Sequence, residues 1–98
     1  MASDIMLHKG DLPAGLDFGA SVAIDTETMG LKPHRDRLCV VQLSAGDGKA
    51  HLVQIVPGAA PHHLVRLLTD RSVLKIFHFA RFDIAALKKH LGIDVAPV

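Results

Sequence analysis

Two carboxylates, Asp25 and Glu27, lie one residue apart at the end of a short apolar run, just before a turn that contains Gly30. Successive side chains of a β-strand alternate between its two faces, so both carboxylates should point the same way. Two negative charges held side by side repel each other unless something positive lies between them. A hard divalent cation, which prefers carboxylate oxygens, is the economical partner. The pair therefore predicts a metal-dependent enzyme.

A further carboxylate, Asp83, lies at the start of the last predicted helix, directly after a predicted strand. Carboxylates are stabilised at helix N-termini, so helix structure by itself would explain Asp83. Together with Asp25 and Glu27, however, it makes a set that could hold two metal ions about 3.5–4 Å apart and clamp a phosphodiester. His78 and Arg81 lie close in sequence and could contact a phosphate. A packed strand histidine and a solvated helix arginine would explain them equally well.

The size and charge of the chain restrict the classes of function. Its 98 residues are enough for one small domain, and a hydrophobic content of 49% indicates a packed core rather than disorder. Four Phe, with no Trp or Tyr, argue against an aromatic platform for stacking bases. A net charge of +1 and a pI of about 8.0 show that the chain is not strongly basic, as a protein that coats nucleic acid would be. Metal ions could still supply positive charge at a scissile phosphate.

The single cysteine, Cys39, excludes an intrachain disulfide and a zinc cluster of cysteines. It lies in an apolar run, which predicts a buried structural thiol rather than a nucleophile. A reducing, cytoplasmic setting is the expectation, since the first residues show no signal-peptide pattern. No apolar stretch is long enough to cross a bilayer, so no membrane partner is expected.

Apolar patterning and turn residues divide the chain into short elements. The predicted strands cover residues 5–8, 21–25, 38–44, 50–56 and 73–79, and the predicted helices cover 62–69 and 81–91. The first strand suits a sheet edge, and the continuous apolar run at 21–25 is typical of a strand covered on both faces. Pro61 suits the first turn of one helix and Gly92 the end of the other. A three-stranded meander, with an Asp47-Gly48 turn, followed by alternating helix and strand indicates a mixed α/β sheet.

Three segments carry a resemblance to a known family. Asp-Thr-Glu-Thr-Met-Gly-Leu at 25–31 resembles the first motif of the DEDD 3′–5′ exonucleases, and His-Phe-Ala-Arg-Phe-Asp at 78–83 resembles the second. The resemblance is strongest to the ribonuclease D-like branch, and it is carried by Leu-Cys-Val-Val-Gln-Leu-Ser at 38–44 and by Ile-Phe-His-Phe-Ala-Arg-Phe-Asp at 76–83. The resemblance covers residues 5–92. It implies a ribonuclease H-like fold, two Mg²⁺ or Mn²⁺ ions and release of nucleotides from a 3′ end. RNA is the expected substrate, although proofreading relatives use the same carboxylates on DNA.

The resemblance also implies roles for individual residues. Asp25, Glu27 and Asp83 would be the catalytic metal ligands. The residues that would bind the substrate are Thr28, Met29, Gly30, Leu31, His78, Arg81 and Phe82, the first four forming a wall against the terminal nucleotide. Phe79 departs from the family, in which many members have Asn, and Phe offers the substrate backbone no polar contact.

The third motif of the family has no counterpart here. It combines a Tyr or His with an Asp a few residues later on a further helix. His90 and Asp94 have that spacing, but they lie in and just after the helix that begins near Asp83, so we interpret the match as coincidence. Residues 1–98 are therefore predicted to be a partial, truncated exonuclease domain with little turnover by itself. Exposed apolar strand edges would favour a homo-oligomer.

Two other classes of function fit part of the pattern. A haloacid-dehalogenase-type phosphatase also has a carboxylate pair after an apolar strand, and it would use Asp25 as the nucleophile, although its second carboxylate is normally Asp. A non-catalytic nucleic-acid-binding or assembly module on a decayed exonuclease fold would explain the missing motif. A mixed α/β domain without activity is the simplest alternative.

Overall fold

A computed structural model describes residues 4–28, 38–46, 48–77 and 80–96. Its elements in chain order are β1 (Asp4–Lys9), β2 (Ser21–Thr28), β3 (Leu38–Ser44), β4 (Lys49–Gln54), α1 (His62–Thr69), β5 (Leu74–Phe77) and α2 (Ala80–Leu91). The strands form one sheet in the order β1-β4-β3-β2-β5. The predicted mixed α/β class is confirmed, and each predicted element is present.

The sheet combines both kinds of strand pairing. β2, β3 and β4 are antiparallel neighbours, as predicted for the meander. Gly46 and Gly48 have φ of 81° and 83° in the β3–β4 connection, a conformation that favours glycine. Asp47, from the predicted turn, lies outside the described residues. β1 joins β4 in parallel and β5 joins β2 in parallel, so β1 is an edge strand as predicted.

The hydrophobic core lies on one face of this sheet, which we call the helix-covered face. Alternation in β2 directs Val22 and Ile24 toward it, and both helices place apolar side chains against the same cluster. The fully buried members include Val41, Leu43, Val53, Leu64, Leu68, Ala86 and Leu87. Both helices therefore protect one side of the sheet.

The opposite side, which we call the open face, is uncovered in the described residues. Ala23 is exposed there, so the prediction that β2 is covered on both faces is wrong. Alternate residues of the apolar run lie in two environments, one packed against the helices and one exposed, because α1 and α2 pack on the same side of the sheet. Ile5, Leu7 and Ile76 on this face are 67%, 68% and 51% exposed.

The start of α1 is capped from a distant loop. Pro61 occupies the N-cap, one position before the predicted first turn, and has no side chain that could accept a hydrogen bond. Asp11 provides the cap instead. Its carboxylate accepts hydrogen bonds from the N–H groups of His63 and Leu64, both at 2.9 Å. Burial acts to raise the pKa of Asp11, but hydrogen bonds from His63, Leu64 and Leu12 outweigh it and lower the pKa.

A buried lysine connects the segment after α2 to the rest of the domain through hydrogen bonds. Lys75 is 1% exposed, and its ammonium donates to the carbonyl oxygens of Asp70 and Ala96. Burial lowers the pKa of Lys75, and the charge of Asp70 opposes that shift. The Ala96 N–H donates to the Leu68 carbonyl at 3.2 Å. α2 ends as predicted before Gly92, whose φ is 70°.

Several sequence-based boundaries need correction. β2 continues to Thr28 rather than ending at residue 25, β4 covers Lys49–Gln54 rather than 50–56, and β5 begins at Leu74 rather than residue 73. The predicted end of β5, at residues 78–79, lies outside the described residues. Cys39 is partly buried rather than buried. Within the described ranges, the helices are too short and too polar to span a membrane.

Candidate active site

The first two carboxylates lie within β2 and on its open face. Asp25 pairs with Gln42 and Glu27 with Val40, and the register shifts only after Glu27. The strand therefore does not end at Asp25, because its ladder with β3 extends to Thr28. Asp25 and Glu27 are exposed, whereas the intervening Thr26 faces the other way and is partly buried. Alternation places the pair on one face, as the spacing predicts.

Asp83 lies on the other side of β2, in the first turn of α2. It is 4% exposed, and one carboxylate oxygen accepts a hydrogen bond from the Thr26 hydroxyl. Burial raises the pKa of the Asp83 carboxyl, the negative charge of Asp25 adds to this, and the hydrogen bond from Thr26 opposes it. A carboxyl group whose pKa is raised by burial and by a neighbouring negative charge is typical of functional sites.

Thr26 connects the two carboxylates that flank the strand. Its N–H donates to Asp25 Oδ1 at 3.0 Å, and its hydroxyl donates to Asp83. Among the residues that the structure describes, however, no three His, Cys, Asp or Glu side chains are grouped closely enough to hold a metal ion. The carboxylate oxygens of Asp25, Glu27 and Asp83 are of the kind that a hard divalent cation prefers. The assignment of Asp25, Glu27 and Asp83 as metal ligands thus stays a prediction.

Most of the predicted substrate-binding residues are beyond what the structure describes. Thr28 is partly buried at the end of β2. Arg81 and Phe82 belong to the first turn of α2, and the structure describes only the backbone of these two residues. The remaining predicted contacts lie outside the described residues: Met29, Gly30, Leu31 and His78, together with Phe79. The substrate roles of all these residues stay predictions.

Sequence reasoning missed Thr26 and Gln42. Gln42 pairs with Asp25 across the strands and lines a shallow depression on the open face, beside Ala23, Ser44 and Ile76. Strand alternation could have directed Thr26 toward the helices, since it lies between two exposed carboxylates. Gln42 could not be placed so easily, because its position opposite Asp25 depends on the register of the β2–β3 pair.

Comparison with known proteins identifies the family. The profile of a family described as 3′-5′ exonuclease matches residues 9–98. The chain belongs to this 3′-5′ exonuclease family. The resemblance seen in the two carboxylate motifs is thereby confirmed, and the mixed sheet agrees with that of solved members.

Two relatives are similar to the chain in sequence. Ribonuclease D of Granulibacter bethesdensis is 40% identical over 71 residues, which make up 72% of this chain and 18% of the relative. NrnC of Brucella melitensis, solved bound to pGG, is 54% identical with a TM-score of 0.89 over 96% of this chain and 47% of its own. Another structure of that protein has bound Mg²⁺.

Escherichia coli RNase D, at 23% identity and a TM-score of 0.64, covers 80% of this chain and 20% of its own, and it supports the fold alone. The chain thus spans about half the length of the NrnC chain. It spans about one fifth of the ribonuclease D relatives that it matches.

Proposed function

We propose that this chain forms part of an exonuclease that removes nucleotides from the 3′ end of RNA. The observation that carries the proposal is the 3′-5′ exonuclease match over residues 9–98. RNA is favoured over DNA because the curated relatives are named Ribonuclease D. A nucleic-acid partner is also supported by the Brucella melitensis NrnC structure with pGG.

The proposed cofactors are two divalent cations, Mg²⁺ or Mn²⁺, held by Asp25, Glu27 and Asp83. Carboxylate oxygens are the ligands that these cations prefer. Burial is the main cause of the raised pKa of Asp83, and the negative charge of Asp25 adds to it; a cation shared between the two carboxylates would relieve that repulsion. The Mg²⁺ found in NrnC supports the metal, though not the number of ions. When bound, such ions supply a hydroxide nucleophile at neutral pH and stabilise the leaving oxygen.

The residues of the chain itself contribute orientation. Thr26 holds Asp25 through its N–H and Asp83 through its hydroxyl, which restricts how far either carboxylate can rotate. β2 and β5 are parallel, so the two strands finish toward the same end of the sheet. We place the contacts to the terminal nucleotide at that end, on Thr28 and the segments that follow β2 and β5. Positioning of this kind is how an enzyme without covalent chemistry lowers a barrier.

Three accompanying properties are also proposed. The 98 residues by themselves should turn over little substrate, since the three carboxylates do not form one group in the described part of the chain. Homo-oligomers would form through the outer edges of β1 and β5, which pair with no further strand among the described residues. A cytoplasmic location is favoured by the single cysteine, which needs no oxidising compartment.

The direction of hydrolysis provides the test. We would compare 3′-labelled and 5′-labelled RNA and DNA of one sequence, with Mg²⁺, Mn²⁺ or EDTA. The chain would be assayed alone and as an NrnC chimera, in which it replaces the matching part of Brucella melitensis NrnC. We expect the chimera to release mononucleotides from the 3′ end of RNA only when a divalent cation is present. Shortening from the 5′ end, or hydrolysis that persists in EDTA, would contradict the proposal.

A second candidate is a non-catalytic nucleic-acid-binding module, favoured by one specific observation. Asp83 is buried on the helix-covered side of β2, while Asp25 and Glu27 are exposed on the open face. If this separation persists with metal present, RNA would bind without being cut. Binding of labelled RNA by a folded chimera that does not shorten it would favour this candidate. The phosphatase alternative gains no support from the family match.

A further inference from the structure

Two histidines join the edge strand β1 to its neighbour β4 on the helix-covered face, where His51 lies beside Leu43 of the core. His8 Nε2 is 3.0 Å from His51 Nδ1, so one of these nitrogens donates a hydrogen bond that the other accepts. The ring planes are 13° apart, and the ring centroids are 5.3 Å apart. That separation is as large as the nitrogen–nitrogen distance plus two ring radii, so the rings lie end to end. We call His8 and His51 the histidine pair.

The two members of the histidine pair have different surroundings. His51 is 6% exposed, and the Phe18 ring packs against it at an angle of 80°. His8 is partly exposed, so protons can reach the pair from solvent. The charged residues described beside the pair are Asp17 and Lys49, which line a cavity of about 250 Å³ together with His51. Asp17 can therefore offset one positive charge on the pair.

Other titratable groups near β1 and the loop that follows it are directed elsewhere. The Asp11 carboxylate accepts hydrogen bonds from the start of α1. His63 of α1 lines a different cavity, together with Leu12. Lys9 follows His8 in β1, so alternation directs its side chain to the open face. The charge on the histidine pair is thus set mainly by the two rings themselves.

The hydrogen bond limits how many protons the histidine pair can hold. When both rings are neutral, or when one is protonated, one of the facing nitrogens still has a lone pair that accepts. When both rings are protonated, both facing nitrogens are donors, and two positive charges lie at hydrogen-bond distance. A zinc ion bonded to both nitrogens at about 2.0–2.1 Å would hold end-to-end rings about 4 Å apart, so the geometry favours a shared proton over a metal ion.

Apart from this pair, β1 is held mainly by its backbone. None of its six residues is buried, and in the described part of the chain it pairs only with β4. The Asp4 N–H donates to the Gly48 carbonyl at 3.1 Å, and the Gly10 N–H donates to the Gln54 carbonyl at 2.8 Å. Gly10 has a φ of 87°, and buried Leu12 fixes the chain shortly after it. β1 can therefore separate from β4 by rotation near Gly10 while the core stays intact.

We propose that the histidine pair is a pH-sensitive switch: β1 is paired with β4 near neutral pH and is released when both histidines are protonated. Release replaces the shared hydrogen bond by two hydrated imidazolium groups. A histidine in water takes up its proton near pH 6.5, so the pair holds β1 fully above about pH 6.5 and progressively less below it. Release exposes the edge of β4, which can then pair with another strand. The switch does not depend on the proposed function, because the pair lies on the opposite side of the sheet from Asp25.

Hydrogen exchange of backbone amides in the full 98-residue chain tests this switch. Protection factors, which correct for the effect of pH on the chemical exchange rate, would be measured for β1 and β2 at pH 7.5 and pH 5.0. One proton taken up on release should increase the open population of β1 about 30-fold between these pH values, with an equal fall in its protection. The protection of β2 should change much less, since the pair does not join it to its neighbours β3 and β5.

Three variants identify the residues responsible. His8→Gln should reduce the change in β1 protection to about 3-fold or less, because glutamine can donate to a neutral His51 and accept from a protonated one. His51→Phe removes the buried ring and should have the same effect, so either variant decides the question if the other does not fold. His62→Gln is the matched control, because His62 is exposed at the start of α1, and it should keep the full change.

Several outcomes would overturn this inference. One is a wild-type chain in which the protection of β1 is the same at both pH values. Another is a change that persists undiminished in His8→Gln or in His51→Phe. An equal fall in the protection of β1 and β2 would show that acid unfolds the whole domain instead of releasing one strand. Protection of β1 that increases when Zn²⁺ is added at pH 7.5 would show that the histidine pair binds a metal ion, contrary to its end-to-end geometry.

Discussion

The helix-covered face and the open face share the same strands but differ in what their side chains do. In β2, Val22 and Ile24 are buried among the core residues, while Asp25 and Glu27 are exposed on the opposite side. A single strand therefore provides both stability and candidate chemistry, divided by the alternation of its side chains. Substitutions can therefore perturb stability and activity separately, except at Thr26 and Asp83, which connect the two faces.

The largest expected effect concerns activity on the open face. Asp25→Asn in the NrnC chimera should lower the rate of RNA hydrolysis by about 10³-fold or more, because a ligand that stabilises charge in the transition state is lost. Circular dichroism and the melting temperature should change little, since Asp25 is exposed. Rates measured with 3′-labelled RNA under single-turnover conditions provide the comparison.

Asp94→Asn is the control for this substitution. Asp94 is exposed and pairs only at the surface with Lys88, at 3.0 Å. Its loss should leave the rate of hydrolysis unchanged, and the same result would support our interpretation that His90 and Asp94 match the third motif by coincidence. Full activity of Asp25→Asn would rule out its role as a metal ligand.

The next effect compares neighbouring residues of β3 that point to opposite faces. Leu43→Ala should lower the free energy of unfolding by about 3 kcal/mol, because it leaves a cavity in the core. Gln42→Ala should change it by less than about 0.5 kcal/mol, since Gln42 is exposed. Urea denaturation of both variants measures the difference. Similar losses for the two would show that the open face is packed in solution, contrary to the structure.

A smaller effect is expected at Asp11, which supports the helix-covered face by capping α1. Asp11→Ala should cost about 1–2 kcal/mol at pH 7, because the N–H groups of His63 and Leu64 lose their acceptor. The pKa of Asp11 is lower in the folded state, so its contribution is present above the ordinary aspartate pKa of 3.8 and is lost as the pH falls through the folded value.

Urea titrations between pH 7 and pH 2.5 would follow the difference between the wild type and Asp11→Ala. Asp17→Ala is a suitable control, because the exposed Asp17 carboxylate accepts a local hydrogen bond from the Gly19 N–H, at 2.7 Å, and does not cap a helix. A difference between wild type and Asp11→Ala that stays constant over this pH range would show that the ionised carboxylate is not what caps the helix.

The smallest effect is expected where the two faces meet. The pKa of Asp83 is raised, chiefly by burial, so the folded state binds a proton more readily than the unfolded state does. Its ionised form therefore costs stability at pH above the folded pKa, and the cost disappears as the pH falls below the ordinary value. Asp83→Asn should raise the free energy of unfolding slightly at pH 7 in EDTA, with no such gain in acid.

Thr26→Val is the companion to that variant. It removes the hydroxyl that donates to Asp83 and should destabilise the chain by about 1 kcal/mol, because the buried carboxylate loses a partner. A loss of stability in Asp83→Asn that matches that of Thr26→Val would mean that the charged carboxylate stabilises the fold. Asp83 would then stabilise the fold, instead of lowering its stability for the sake of function.

Much of the local structure could be predicted from the sequence. Strand β3 and helix α1 lie at the predicted residues, and the end of α2 before Gly92 is correct. These predictions succeeded because apolar periodicity, proline and glycine act over a few residues. The bounds of β2 were wrong for the opposite reason. Its extension to Thr28 depends on pairing with β3, whose register is a property of two segments.

The candidate site shows the same division between near and distant contacts. The spacing of Asp25 and Glu27 was enough to place both on one face. The hydrogen bond from Thr26 to Asp83 joins residues 57 positions apart, and the cap that Asp11 forms on Leu64 joins residues 53 apart. Lys75 lies between two apolar residues of β5, a pattern typical of an exposed cation. In the folded chain its ammonium donates a hydrogen bond to the carbonyl oxygen of Ala96.

By itself, the sequence determined the order of the elements, the exonuclease motifs and the shared direction of Asp25 and Glu27. Each of these follows from side chains a few residues apart along the chain. Which face of the sheet is covered, the burial of Asp83 beside Thr26, and the position of Gln42 opposite Asp25 depend on the tertiary structure. Those features depend on strand order and register, which arise only when distant segments pack together and exclude water.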